Sequence, residues 1–254
     1  MSTSPSKRKK DGKVSEIRSN IARVMARMAE AARRVGRDPD SVRLVAVTKQ
    51  RSVEELRELL ATGQRVFGEN RVEETLDKME AFSGSPDLDI EWHFIGHVQS
   101  RKAKLLAGSV ALIHGVDSLH LAEAFQRAAD QKDCLVNILL EVNVSGEESK
   151  FGLSPVEVSS VAKQMRALDR VCCQGLMTMA PYVANPEETR PVFRGLRELF
   201  ERLRDEGNDH LDLRHLSMGM TNDFEVAVEE GATLTRVGTA LFESHPTEDG
   251  KGAT

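Results

Sequence analysis

The chain has 254 residues, 40% of them hydrophobic and 30% charged, with a formal net charge of -5. That is a globular composition, long enough for one large α/β domain or two small ones. Its mild acidity gives no electrostatic reason to expect nucleic acid or an anionic membrane as partner, and no apolar run reaches the roughly 18 residues of a membrane span.

The opening MSTSPSKRKKDGK is basic and lacks the apolar core of a secretory signal. Residues 1–13 read as a disordered tail, 14–243 as a single domain and 244–254 as a flexible C-terminal tail. The three cysteines, Cys134, Cys172 and Cys173, make no disulfide framework and have no metal-ligand spacing. Reduced core thiols and a cytoplasmic location are the expectation.

An amphipathic helix is predicted near Val14–Val35, followed by a first strand in RLVAVTK, 43–49. SVEELRELLATG follows as a helix, with Ser52 and Glu55 as a capping box and Gly63 as its stop. Further strands are predicted in QRVFGEN (64–70), IEWHFIG (90–96), VALIHGVD (110–117), LVNILLEVNVS (135–145), VCCQGLMTMA (171–180), LRHLSMG (213–219) and TLTRVGTALF (233–242). Helical patterns separate them, the longest from about Pro186 to Glu206. The last, TNDFEVAVEEGA, has Asn222 and Glu225 as a second possible capping box. Several strands lack polar alternation, as expected when both faces are covered. Strands alternating with helices mean a parallel sheet. Eight such units predict a modified (β/α)₈ TIM barrel with an extra N-terminal helix in preference to an open sheet.

In such barrels chemistry gathers at the strand C-termini. Lys49 ends the first strand and Asn70 the second; His97 lies just beyond the third. An amine held in a partly apolar pocket can lose its proton and act as a nucleophile. HLSMGMTND offers the Ser217 hydroxyl, and RVGT offers Gly238 and the Thr239 hydroxyl, on the two strands where barrels commonly hold phosphate. Arg236 sits in an otherwise apolar strand and needs a partner, either a carboxylate such as Glu69 or Glu141 or a ligand. A strand-one lysine facing a phosphate pocket across the barrel mouth suggests pyridoxal 5′-phosphate held as a lysine aldimine. Arg236 would then be the ring nitrogen's partner. A guanidinium keeps its protons, so the ring would be a weaker electron sink than one facing a carboxylate.

The motifs LVAVTK, FGENRVEE, EWHFIGHVQSRK, EVNVSGEESKFG, GLMTMAP and LSMGMTNDFEVAVEEGATLTRVGTALF together resemble the YggS/PROSC-type pyridoxal phosphate homeostasis proteins over roughly residues 14–243. The resemblance implies a barrel like that of alanine racemase, with Lys49 carrying the cofactor. It also implies that Ser217, Gly238 and Thr239 hold the phosphate, that Arg236 is at the ring nitrogen and that Asn70 is nearby. It further implies a role in vitamin B6 balance without catalytic turnover. Two positions depart from the family pattern: Arg101 stands where asparagine is expected, and Thr221 where serine is common.

A non-catalytic binder is therefore expected, monomeric, with apo pyridoxal-phosphate enzymes as recipients. One alternative is a racemase, which needs an acid/base group on each face of the substrate carbon. The chain's only tyrosine is Tyr182, and the second domain that would supply a racemase's other base is expected to be missing. The other alternative is a class I aldolase in which Lys49 attacks a sugar-phosphate carbonyl directly.

Overall fold

The computed structural model describes residues 5–85, 88–147, 150–207 and 211–243. Eight parallel strands close into a barrel in chain order. They are β1 (Arg43–Val47), β2 (Val66–Glu69), β3 (Glu91–Phe94), β4 (Leu112–Val116), β5 (Val136–Glu141), β6 (Val171–Met177), β7 (His215–Ser217) and β8 (Leu234–Val237). The predicted barrel with its extra N-terminal helix is what the chain forms. The helices around it are α1 (Pro5–Arg34), α2 (Val53–Ala61), α3 (Val72–Phe82), α4 (Ala103–Leu106), α5 (Leu119–Lys132), α6 (Val158–Gln164), α7 (Arg190–Asp205), α8 (Phe224–Glu229) and α9 (Thr239–Phe242).

Strand alternation divides the apolar residues between two environments. On β1, Leu44 and Ala46 pack outward against helices, while Val45 joins Val66, Leu112, Leu139, Met177 and Leu234 inside the barrel. Helix α1 supplies Ile17, Ile21, Val24 and Met28 to the outer layer beside Phe224 and Val228 of α8 and Leu241 and Phe242 of α9. Those α1 positions follow the three-and-four spacing of one helical face. Asn20 also donates its side-chain amide to the carbonyls of Leu241 at 3.2 Å and Glu243 at 3.0 Å, which ties down the chain after β8.

The strands are shorter than the apolar runs that announce them, because each run continues into the loop that leads to the next helix. The run at 233–242 holds two elements: β8 ends at Val237, the chain turns at Gly238, and Thr239–Phe242 is helical. Helix α1 begins at Pro5, so residues 5–13, expected as tail, have helical backbone. Residues 1–4 and the expected C-terminal tail at 244–254 lie outside the described residues. The Ser52–Glu55 capping box forms as read. The second box does not. Asn222 donates instead to the Val183 carbonyl at 2.9 Å, and Asp223 Oδ1 accepts from the Met220 amide at 2.6 Å.

Candidate functional site

A cavity of about 940 Å³ opens at the C-terminal ends of the strands, and Lys49, Asn70, Glu141, Arg236, Gly238 and Thr239 are on its wall. Five of the six residues expected from the sequence are thus brought together, and Glu141 joins them. Ser217 is not on the wall.

Lys49 follows β1 and is exposed, so the desolvated setting expected of it is not what surrounds it. What is special is how its neighbours are held. Lys78 Nζ donates to the Thr48 carbonyl, to Glu69 Oε1 and to Glu74 Oε1, each at 2.7 Å. Thr48 Oγ1 donates to the same Glu69 oxygen at 2.6 Å, and the Gln50 amide donates to Glu74 Oε1 at 2.6 Å. Gln50 has φ +59°, a left-handed conformation uncommon for a side-chain-bearing residue. A strained backbone of this kind persists only where its surroundings over-determine it. Here Glu74 on one side and Lys78 on the other do so. Burial pushes the Glu69 carboxyl up, opposed by its bonds from Lys78 and Thr48.

The turns after β7 and β8 meet, as the phosphate reading required. The Ala240 amide reaches Thr221 Oγ1 at 3.5 Å, and Thr221, Gly238 and Thr239 all face the cavity. Gly219 has φ +88°, and a Cβ there would lie 2.5 Å from Ala227 Cβ. Only glycine lets the chain turn so close to α8. At Gly238 a Cβ would lie 3.1 Å from Val47 Cβ, so the amine-bearing and turn-bearing strands are in contact. One expectation is corrected by closure of the barrel: β1 pairs with β8, placing Lys49 beside this turn instead of across the mouth from it.

Arg236 is 4% exposed and forms the floor of the cavity. Its Nη1 donates to Ser217 Oγ at 2.6 Å and its Nη2 to the Thr178 carbonyl at 2.9 Å. The expected carboxylate partners do not pair with it directly. Glu69 is taken by Lys78, and among the described residues Glu141 makes no direct ion pair. Burial pulls the guanidinium down to about 10, opposed by the fields of Glu141 and Asp223. Burial, reinforced by Asp117, pushes the Glu141 carboxyl up to about 7. Ser217, read as a phosphate ligand, is fully buried below the wall between Arg236 and His114, with His114 Nδ1 at 2.8 Å. Its hydroxyl is engaged with the arginine, not turned to the cavity.

Asn70 is half-buried on the wall and is not a helix cap, since Arg71 holds that position for α3. His97 stacks on Phe151 at 4.2 Å between ring centroids, with its Nδ1 3.2 Å from Asp117 Oδ2. All three cysteines are free, and among the described residues no cluster could hold a metal ion. Sequence reasoning passed over Glu141 as a site residue, and it missed His114 and the Lys78 network. A lone polar residue inside ALIHGV or ILLEV was a usable signal for the first two. Lys78, on a helix rich in charge, carried none.

A primary amine with a braced backbone, a turn open to an anion and a buried fixed cation line one cavity. That set suits a ligand with an electrophilic carbon, an anionic group and a ring acceptor.

Residues 14–246 match the family model described as alanine racemase, N-terminal domain. The chain is 46% identical over 222 residues to the pyridoxal phosphate homeostasis protein of Aquifex aeolicus, covering 87% of this chain and 95% of that one. The structure of PipY from Synechococcus elongatus, with PLP bound, superposes with a TM-score of 0.76 at 35% identity, covering 89% of this chain and 100% of that one. Alanine racemase of Corynebacterium glutamicum shares the fold, with a TM-score of 0.68 at 14% identity over 93% of this chain and 63% of its own. With 46% identity over 95% of the Aquifex relative and the family model matched over residues 14–246, the chain belongs to the pyridoxal phosphate homeostasis protein family, related to the alanine racemase N-terminal domain.

Proposed function

We propose that this protein binds pyridoxal 5′-phosphate in the barrel of residues 14–243 and serves pyridoxal phosphate homeostasis as a holder with no turnover of its own. The observation that carries the reading is the joint presence of Lys49, Arg236, Gly238 and Thr239 on one cavity wall. When bound, the cofactor supplies an aldehyde that couples to a primary amine, a ring nitrogen and a phosphate.

Lys49 is the attachment point, and its braced backbone presents the amine to the cavity. Gly238 and Thr239, beside Thr221, receive the phosphate through backbone N–H and hydroxyl donors. Arg236 faces the ring nitrogen as a donor that keeps its own proton, and Asn70 borders the ring. Ser217 contributes through Arg236, which it holds. The chain's residues fit the group: the cavity has room for it, and the close approach of Gly238 to Val47 leaves no space there for a side chain.

The Aquifex aeolicus relative, 46% identical, is named for pyridoxal phosphate homeostasis, and the racemases share the fold alone. No observation favours the racemase or aldolase alternatives. Among the described residues no helix is long and apolar enough to cross a membrane. The reading extends to a cytoplasmic monomer that passes the cofactor to apo enzymes. Loaded protein mixed with such an enzyme should activate it faster than free cofactor does.

The deciding experiment is reduction of loaded protein with borohydride followed by peptide mapping. A pyridoxyl adduct on Lys49, absent from Lys49→Ala, supports the reading. An adduct on another side chain, or none, overturns it.

A further inference from the structure

A line of hydrogen bonds crosses the barrel interior from the start of β3 to the cavity floor. His93 Nε2 is 2.8 Å from Glu91 Oε1, His93 Nδ1 is 2.9 Å from His114 Nε2, and His114 Nδ1 is 2.8 Å from Ser217 Oγ. Arg236 Nη1 completes the line, 2.6 Å from the same hydroxyl. His93, His114, Ser217 and Arg236 are each 4% exposed or less, so each depends on partners inside the protein. Outside the barrel Glu91 is also paired with Arg43. His215, half-buried and 3.4 Å from Thr233 Oγ1, lies beside the line and is not part of it.

The two ends determine every proton between them. A guanidinium has only donors and an ionised carboxylate only acceptors. Glu91 therefore requires the proton of His93 on Nε2, and Arg236 requires Ser217 Oγ to accept. A neutral His93 then accepts at Nδ1, so His114 donates from Nε2. A neutral His114 accepts at Nδ1, so the single proton of Ser217 points at it. Both rings are held on the neutral side by burial. Each link carries one proton, and the orders imposed from the two ends agree.

We propose that His114 and His93 are positioning residues for Arg236. By accepting the only proton of Ser217, His114 turns the hydroxyl's lone pairs to the guanidinium, and Glu91 sets the tautomers from the far end of the barrel. Polar groups that merely fill a core need no single proton order. The inference rests on the reading above in one respect: Arg236 faces the bound cofactor.

Two measurements test it. In unliganded protein with ¹⁵N-labelled histidine, long-range ¹H–¹⁵N correlations should find His93 and His114 protonated on Nε2 alone. Protonation of His114 on Nδ1, or a tautomer mixture on either ring, overturns the proton order. In loaded protein, His114→Phe keeps the bulk but removes both nitrogens, and retention of pyridoxal 5′-phosphate on dialysis should fall about tenfold, the scale of one buried hydrogen bond. His114→Gln retains one acceptor and one donor and should recover most of that loss. Equal loss in both variants, or loss in neither, overturns the positioning role. Nε2 tautomers in a wild type that forms no Lys49 adduct would uphold the proton order and overturn the cofactor reading instead.

Discussion

Lys78 Nζ lies 2.7 Å from Glu69 Oε1, with side-chain exposures of 7% and 0%, in the seam between β2 and α3. The same ammonium holds the Thr48 carbonyl, and its other partner Glu74 holds the Gln50 amide. One lysine therefore braces the backbone on both sides of another.

Removing one partner of a buried pair leaves an uncompensated charge, at a cost of roughly 3–5 kcal/mol. Lys78→Met should lose about that much unfolding free energy in denaturant titrations. Adding Glu69→Gln should restore part of it by neutralising the stranded carboxylate. Borohydride trapping at Lys49 should fall in Lys78→Met even where the protein remains folded. Wild-type stability in that variant would mean that the seam does not hold β1.

Glu141 gives a pH dependence of definite sign. Its carboxyl is held near 7 in the folded protein against an ordinary value of 4.5. Between those values the folded state binds more protons than the unfolded one, so stability falls as pH rises through that window. Above it the penalty is complete, and below it there is none. Glu141→Gln should match the wild type near pH ~4 and exceed it at pH ~8, by on the order of 3 kcal/mol at most. Parallel stability curves for the two proteins would assign the titration to another group.

Arg236→Lys keeps the charge and removes the fork that reaches Ser217 and the Thr178 carbonyl together. One of those buried acceptors is left unpaired, which costs about 1–3 kcal/mol. Thermal unfolding should occur at lower temperature, and cofactor retention should fall while the Lys49 adduct still forms. Unchanged retention would show that the two-handed grip is irrelevant to binding.

Gly219→Ala should be more damaging than its single added carbon suggests. The φ of +88° disfavours any side chain, and the new Cβ would lie 2.5 Å from Ala227 Cβ and 2.9 Å from Phe224 Cα. Helix α8 would have to shift, moving Met220 and Thr221 at the cavity. We expect a loss well above 1 kcal/mol together with weak cofactor retention, both read on the same purified protein. Normal retention would mean that this turn does not shape the anion end.

Much of the site could be read before the fold was seen. Lys49, Asn70, Gly238 and Thr239 were legible because each lies where an apolar run gives way to polar residues, and barrels place chemistry at those ends. Arg236 was legible as a charge that needed a partner. Its partner was not, because a buried guanidinium is satisfied equally by a carboxylate, a hydroxyl or a carbonyl. Ser217 was assigned to the ligand because strand position cannot say which way a hydroxyl is engaged. The Asn222 box failed for a local reason: α8 starts one residue later than read, with Asp223 in the cap position, so Glu225 falls on its second residue and Asn222 donates to the Val183 carbonyl instead.

By itself the sequence determined the barrel, its extra helix and the place of Lys49, because hydrophobic period and turn residues act over a few neighbouring positions. Only the tertiary structure decided what surrounds that lysine and what holds Arg236. His114 and Ser217 are 103 positions apart, and His93 and His114 are 21 apart. Pairing of β3 with β4 brings the two histidines together, closure of the barrel brings β7 opposite them, and burial then obliges each polar group to take the partner that geometry offers.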